Sequence, residues 1–238
     1  STPLTVAIPA LFLKKIKKSK LIFEVRDVWP QLPIAIGAIK SKLLIKILKK
    51  IESKIYNESE KIIALSDGMK NEIQKIENEK DKIVVVTNLC DTKNFNINKK
   101  LSKKFRTESL GIKDEPLIVY AGSFGKINNA AYLVEIAAES KKFNKDIKFL
   151  MAGHGYQKNF IIHKSKKLNL LNNNLFLLDP MPKKDLPLLL SSATIVVSLF
   201  IDLPEMENNS ANKFFDGLAS GKPLMLNYGG WQSKLIKK

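Results

Sequence analysis

The chain has 238 residues, 45% of them hydrophobic, which favours two globular lobes and argues against intrinsic disorder. Its formal net charge of +17 first suggests an anionic partner. Only Arg26 and Arg106 are arginines, however, whereas recognition of phosphate and of guanine favours the planar guanidinium group. A lysine-rich composition without a charged partner stays open as the explanation, and we expect no nucleic-acid partner.

Cys90 is the only cysteine, which excludes an intrachain disulfide and a zinc site built on cysteine thiolates. The two histidines, His154 and His163, lack the HxxxH and HExxH spacings, so we expect no metal site. The longest apolar runs are too short for a membrane span. A single cysteine and short apolar runs together predict a cytoplasmic location.

Eight apolar runs of strand length are mostly separated by stretches with helical spacing. Near-continuous runs of Val, Ile and Leu predict strands that are buried on both faces, as in a parallel sheet covered by helices. The predicted fold class is therefore α/β. The eight runs are 21–25, 62–65, 83–86, 117–121, 147–152, 175–178, 193–199 and 224–226.

The segment 93–115 is polar and without periodicity, which predicts an interdomain linker with room for one short helix. Residues 1–92 then form a first domain with about three strands, and residues 116–238 a second domain with about five.

Residues 40–55 have the spacing of a basic amphipathic helix. Its predicted apolar side consists of Leu43, Leu44, Ile47, Leu48, Ile51 and Ile55. A surface helix that packs on the sheet explains this pattern. The alternative is an electrostatic contact with an anionic membrane, which would make the protein peripheral on the inner face of that membrane.

The segment NNSANKFFDGLASGKPLML predicts a helix over about 211–220 between two strands. A helix N-terminus at the carboxyl edge of a parallel sheet is a site for phosphate, and Asn209 or Ser210 suits the N-cap. Lys213, in the first turn, opposes the helix dipole unless an anion such as a diphosphate lies nearby.

Lys213, Asp216 and Gly217 share one face of this predicted helix. A glycine inside a helix is costly, and close approach of a ligand such as a ribose is one reason to keep it. A solvated face on which Lys213 pairs with Asp216 stays the alternative.

Three further segments follow predicted strands. In YAGSFGKINNA, Gly122 and Gly125 permit a tight loop in which Lys126 is placed to meet a phosphate, although glycine is also used for turn geometry alone. FLMAGHGYQ sets His154 between two glycines, which is more typical of an exposed turn than of a catalyst. FEVRDVWP delivers Arg26 and Asp27 to a strand end, either into a cleft or as a structural pair.

Seven segments, in order, resemble the landmarks of the retaining glycosyltransferases of family 4, especially the bacterial branch that builds surface polysaccharide and includes N-acetyl-L-fucosamine transferases. They are FEVRDVWP, KIIALSDGMKNEI, KIVVVTNLCDTKNF, YAGSFGK, FLMAGHG, LFLLDPMPKKDLPLLLSSATIVVS and SANKFFDGLASGKP. The resemblance covers nearly the whole chain. It implies the GT-B fold of two Rossmann-like lobes with parallel sheets. Because the family pattern extends beyond both ends of the chain, we expect a truncated chain with an incomplete first lobe.

The resemblance also implies a reaction. A sugar would pass, with retention and without a metal cofactor, from a nucleotide donor, expected to be UDP-linked, to a lipid-linked or saccharide acceptor in capsule or O-antigen synthesis. The donor-binding residues that it implies are Gly122, Ser123, Lys126, Gly153, Met181, Pro182, Ser210, Lys213 and Asp216.

The family's acidic pair, spaced EX7E, implies that Asp216 holds the ribose. The first position of the pair falls on Asn208, so Glu205 and Glu207 are the candidates to replace the missing acid. The predicted catalytic residues are Arg26 and Asp27. Arg26 stands where many members have a histidine, and it is expected to stabilise charge on the leaving diphosphate.

Two alternatives remain. A UDP-sugar 2-epimerase of the same fold would need carboxylates and a histidine that converge near the sugar. A lysine-rich protein that binds a membrane or nucleic acid without catalysis would explain the charge but leave the ordered motifs unexplained.

Overall fold

The structure is a computed structural model that describes residues 3–237; Ser1, Thr2 and Lys238, at the ends of the predicted domains, lie outside the described residues. The chain divides into two compact units. Unit 1 comprises Ser1–Asn88, Leu203–Ser210 and Gly230–Gln232. Unit 2 comprises Leu89–Asp202, Ala211–Gly229 and Ser233–Lys238.

Unit 1 is built on a three-stranded parallel sheet in the order β1-β2-β3. The strands are β1 (Ile22–Val25), β2 (Lys61–Ala64) and β3 (Ile83–Val85). The helices are α1 (Ala7–Lys17), α2 (Gln31–Ala35), α3 (Lys42–Glu58) and α4 (Asp67–Gln74), with short 3₁₀ helices at Leu4–Val6, Lys80–Lys82 and Pro204–Asn208. Ser41 and Ser66 cap α3 and α4, because each hydroxyl accepts a hydrogen bond from a backbone N–H of the first turn.

The core of unit 1 lies on one face of this sheet. Phe23 and Val25 of β1 are buried together with Ile62 and Ala64 of β2, whereas Ile22 is 62% exposed. The prediction that these strands are buried on both faces is therefore wrong for β1, where successive side chains alternate between core and surface.

Helix α3 buries apolar side chains only from Leu48 onward. Leu48 and Ile55 are buried, but Leu43, Leu44 and Ile47 are 70%, 43% and 45% exposed. The interpretation of this apolar side as a packing surface is therefore wrong for Leu43, Leu44 and Ile47, which lie at the surface among lysines.

Unit 2 contains a five-stranded parallel sheet in the order β6-β5-β4-β7-β8. The strands are β4 (Leu117–Ala121), β5 (Lys148–Ala152), β6 (Leu175–Leu178), β7 (Ile195–Ser198) and β8 (Leu224–Leu226). The helices are α5 (Lys99–Leu110), α6 (Tyr132–Phe143), α7 (Lys158–Lys167), α8 (Leu186–Ser192) and α9 (Asn212–Ala219), and Thr92–Phe95 forms a 3₁₀ helix. The last helix, α10 (Gly230–Ile236), begins with the unit 1 residues Gly230–Gln232 and ends in unit 2.

The central strands of unit 2 are buried on both faces, as predicted. Ile118 and Tyr120 of β4 pack in one cluster with side chains of α6 and α7. Leu117 and Val119, which point to the other face, pack with side chains of α8. Alternation along the strand thus supplies two separate cores on the two sides of one sheet.

The eight predicted strands are all present and parallel, and the α/β class is confirmed. The segment 93–115, predicted as a linker, lies in unit 2 and contains α5, whose Phe105 and Leu110 pack against the unit 2 core. The predicted domain boundaries themselves stay a prediction. No helix within residues 3–237 is both long and apolar enough to cross a membrane.

Gly217 seats α9 on the sheet. A Cβ at this position would lie 2.3 Å from Leu224 Cδ2 and 3.2 Å from Val196 Cγ1. The explanation of Gly217 by close approach of a ligand is therefore replaced by helix–strand packing, which needs the missing Cβ for its own contact.

We expect Gly217→Ala to lower the free energy of unfolding by about 1 kcal/mol, because overpacking outweighs the better helix propensity of alanine. In a Leu224→Ala background the clash is removed, and the same substitution should stabilise the protein by about 1 kcal/mol. Urea denaturation of the wild type, the two single variants and the double variant measures both changes in the free energy of unfolding. Equal effects of Gly217→Ala in the two backgrounds would contradict the packing explanation.

Candidate nucleotide-sugar site

A cavity of about 320 Å³ opens in unit 2 where β4, β5 and β6 end. Four of the predicted donor-binding residues line it, namely Gly122, Ser123, Gly153 and Met181. The carboxyl ends of parallel strands meet at this edge, which is where ligands bind in open α/β sheets. His154 also lines the cavity and is exposed, in agreement with its interpretation as a turn residue.

The loops around this cavity are held against each other by their backbones. A Cβ on Gly153 would lie 1.9 Å from the carbonyl oxygen of Gly122, so no other residue fits there without moving a loop. The N–H of Phe124 donates to the carbonyl oxygen of His154 at 2.9 Å. Gly153 therefore shapes the cavity, because its missing Cβ lets the two loops pack closely.

Lys213, at the start of α9, does not line this cavity, but its ammonium group has a distinctive environment. Its Nζ donates to Asn128 Oδ1 at 2.7 Å and to the carbonyl oxygen of Leu199 at 2.9 Å. It also lies 4.5 Å and 5.3 Å from the ring centres of Phe200 and Tyr120. All of these partners are neutral, and among residues 3–237 no carboxylate lies within ion-pair distance of this ammonium.

Although Lys213 as a whole is only half-buried, its ammonium group is enclosed, and burial lowers the pKa of Lys213 from its ordinary value to about 7. The alternative in which Lys213 pairs with Asp216 is therefore not found. Tyr120 connects Lys213 to the first loop, because its hydroxyl donates to the carbonyl oxygen of Ser123 at 2.8 Å. Lys126 lies exposed further along that loop.

Asp216 is held by a residue that the sequence did not single out for this role. The thiol of Cys90 donates to Asp216 Oδ1 at 3.2 Å. Burial, and then the bond to Asp216, raises the pKa of the Cys90 thiol to about 11, so the sulfur keeps its proton. The charge of Lys183, next to Pro182 in the loop after β6, acts on the same thiol. Asp216 thus belongs to the same part of unit 2 as the predicted donor-binding residues Met181 and Pro182.

Ser210 does not cap α9. The N-cap of that helix is Ala211, which has no side-chain hydrogen bond, so the prediction of Asn209 or Ser210 as N-cap is wrong. Ser210 is buried in unit 1, where its hydroxyl accepts from the N–H of Asn88 at 3.4 Å and its carbonyl oxygen accepts from Asn88 Nδ2 at 2.5 Å. Its assignment to the donor stays a prediction.

A second cavity, of about 280 Å³, lies within unit 1. Asp27, Glu205 and Asn208 line it, whereas Glu207 and Arg26 do not. One cavity is therefore lined by the predicted catalytic residue Asp27 and by Glu205, a candidate to replace the missing acid. Asn208, which stands at the position of that missing acid, lines it too.

Backbone contacts fix the loop 203–210 at this cavity. The hydroxyl of Ser66 donates to the carbonyl oxygen of Asn208 at 2.5 Å, and Trp231 Nε1 donates to that of Asn209 at 2.9 Å. Arg26 instead lies with its Nε 3.8 Å from Glu24 Oε1, with both side chains about half exposed. Its catalytic role stays a prediction.

The unit 1 cavity is acidic although the chain is strongly basic. Asp27 and Glu205 add two carboxylates, while Glu72 and Lys75 form an ion pair of 2.7 Å. Gln31, which lines the cavity, donates from Nε2 to the buried Glu52 at 3.4 Å. Burial raises the pKa of Glu52 to about 7. Such a cavity favours hydroxyl-rich or aminated groups over phosphate.

Metal-ligating and histidine chemistry have little support in the part of the chain that the structure describes. Within residues 3–237, no group of three His, Cys, Asp or Glu side chains is placed to hold a metal ion. His154 and His163 both belong to unit 2, and the epimerase alternative stays a hypothesis.

Residues 102–205 match the family profile described as Glycosyl transferases group 1. These residues form a group 1 glycosyltransferase domain. Among the curated proteins, none matches the chain.

Several solved structures resemble nearly the whole chain. HepE from Anabaena, determined in complex with UDP and glucose, matches with a TM-score of 0.77 at 12% identity over 98% of this chain and 65% of its own. WaaG, a glycosyltransferase involved in lipopolysaccharide biosynthesis, matches with a TM-score of 0.73 at 15% identity over the same shares. A glycosyltransferase from Rickettsia africae matches with a TM-score of 0.63 at 20% identity over 96% and 63%.

The chain therefore has the predicted GT-B fold. It spans about 65% of the length of HepE and of WaaG.

We expect the stability of the protein relative to a Lys213→Met variant to rise with pH. With a folded pKa of about 7 and an ordinary value of 10.5, Lys213 binds more protons unfolded than folded between these limits. From about pH 6 to about pH 9, the melting temperature of wild type minus that of Lys213→Met should therefore rise by about 5 °C. Thermal unfolding followed by circular dichroism gives this difference. A constant difference would show that the ammonium is not buried.

Proposed function

We propose that the chain is part of a retaining family 4 glycosyltransferase that moves a sugar from a UDP-linked donor to a lipid-linked or saccharide acceptor in bacterial surface polysaccharide synthesis. In this reaction the bond between the anomeric carbon and the diphosphate oxygen breaks, and the oxygen of an acceptor hydroxyl forms the new bond on the same face of the sugar. The hydroxyl proton passes to the departing diphosphate. Negative charge develops on the leaving diphosphate, and a positioned cation stabilises it.

The ammonium of Lys213 is the observation that carries this proposal. It stands at a helix start on the ligand edge of the sheet, with neutral oxygens and aromatic rings as its partners. A diphosphate supplies the missing negative charge and is also favoured by the helix N-terminus. Asp216, oriented by the Cys90 thiol, is assigned to the ribose hydroxyls. The complex of HepE with UDP supports a uridine donor.

The acidic cavity of unit 1 is assigned to an uncharged or aminated sugar, because Asp27 and Glu205 disfavour phosphate there. Glu205, which lines the cavity, takes the role of the acid that is missing at Asn208. We assign no metal to the reaction, since Lys213 provides the cation that the leaving group needs.

The exposed start of α3 is assigned to an anionic membrane surface, which supports a lipid-linked acceptor and a peripheral cytoplasmic location. Leu43 and Leu44 are exposed there beside Lys42 and Lys46. Apolar side chains flanked by lysines bind such surfaces by combining burial with charge attraction.

We expect Lys213→Met to weaken UDP by at least about tenfold while uridine binding stays unchanged, because only the diphosphate contact is lost. Asp216→Asn should weaken both ligands, because the ribose is common to them. Isothermal titration calorimetry measures each affinity, with Lys145→Met, an exposed lysine of unit 2, as the matched control. An equal loss of UDP and uridine in Lys213→Met would refute the role of Lys213.

The same titrations predict a pH dependence. Bound diphosphate favours the charged form of Lys213, whose pKa in the free protein is about 7, so UDP binding takes up a proton above that pH. UDP affinity should therefore fall as the pH rises from about 7 to about 9, and the fall should be absent in Lys213→Met. An equal fall of UDP affinity in the wild type and in Lys213→Met would show that a group other than Lys213 takes up the proton.

Glu205→Gln should reduce sugar transfer by at least about tenfold, and Glu207→Gln, the control two residues away, should leave it unchanged. Release of UDP from a panel of UDP-sugars in the presence of a lipid-diphosphate acceptor measures turnover. The reverse order of the two variants would assign the acid to Glu207. Unaltered turnover in both would exclude the loop acids.

A further inference from the structure

A third cavity, of about 560 Å³, lies in unit 2 on the side away from the donor site. It is lined by residues that precede β4, β7 and β8 and by the first two turns of α5. The donor cavity follows the other ends of strands β4, β5 and β6. In a parallel sheet the two edges are separated by the length of the strands, so this cavity is a distinct place on the molecule.

Cations dominate the lining of this cavity. Lys99, Lys103, Arg106, Lys113 and Lys222 all contribute to it, against the single carboxylate of Asp114. Asp114 is 90% exposed and lies 3.7 Å from Lys103 Nζ, so it offsets one charge at the rim. Like charges gathered in one concavity repel each other and attract a multivalent anion.

Arg106 is placed in this cavity without an acidic partner at contact distance. Its Nη1 donates to the carbonyl oxygen of Ser192 at 3.5 Å, a long and weak bond. Its Nε and Nη2 are buried and have no hydrogen-bond partner among the residues that the structure describes. A guanidinium group in this state lacks compensation for its lost hydration, and a bidentate oxyanion provides it.

A neighbouring lysine reports the same crowding. The pKa of Lys222 is lowered by burial and then by the positive charges of Arg106 and Lys99. Burial lowers the pKa of Arg106 too, although the carboxylates of Glu115 and Asp114 act in the opposite direction. Lys222 thus lies close enough to Arg106 and Lys99 for their positive charges to disfavour its own charged form.

We propose that this cavity binds a small anion with two or more phosphate groups. The guanidinium of Arg106 turns toward the cavity and holds one phosphate through its planar fork, and Lys222, Lys99 and Lys103 neutralise the others as point charges. This site is separate from the Lys213 site and stands whether or not the chain transfers sugars.

The test is a calorimetric titration of inorganic tripolyphosphate into the whole chain at about 0.15 M salt. The Lys213→Met background removes the diphosphate contact of the donor site. We expect saturable binding of one tripolyphosphate in this background, weakened at least about tenfold by Arg106→Gln. Lys145→Gln, which removes an exposed charge outside the cavity, should have no effect.

Exposed Lys103 gives a second variant that cannot disturb the fold through a buried group. Lys103→Glu should weaken tripolyphosphate by at least about tenfold, because it reverses a charge at the rim. Binding that neither Arg106→Gln nor Lys103→Glu changes would overturn the proposal. So would an equal loss in Lys145→Gln, since it shows a general response to net charge.

Discussion

The ammonium group of Lys213 is the interaction on which the candidate donor site depends. Two neutral oxygens and two aromatic rings stabilise the cation, but the loss of hydration outweighs them, and the pKa falls to about 7. Gly217 lets α9 lie directly on β7 and β8, and this packing fixes the position of Lys213 at the start of the helix. The free-energy cost of burying the ammonium is therefore part of the folded state, and a bound phosphate would offset that cost with its negative charge.

Most of the scaffold could be predicted because its signals are local. Each strand is a contiguous apolar run. Lys213 was recognisable because a cation in the first turn of a helix is disfavoured by the helix dipole. The role of Gly217 was not, because it depends on Leu224, which only the folded βαβ unit brings close. Cys90 was missed for the same reason, since its contact with Asp216 joins distant segments.

The loop acids show where sequence spacing stops being informative. Glu205 and Glu207 are equally near Asn208 in sequence, but a 3₁₀ helix from Pro204 to Asn208 sets successive side chains at different angles, and only Glu205 lines the cavity. Likewise, the exposure of Leu43 could not be predicted from periodicity, because an amphipathic pattern states that an apolar face exists but not how much of it is covered.

Net charge says little about where anions bind, since the same +17 chain contains an acidic cavity and a cationic one. The identity of the cation matters more. Lys213, in neutral surroundings, reaches a pKa of about 7 and can lose its charge near neutrality. A guanidinium starts from a far higher pKa, so Arg106 stays charged even where burial lowers its value. The charge of Lys213 is therefore sensitive to pH near neutrality, whereas Arg106 keeps its charge throughout the physiological range.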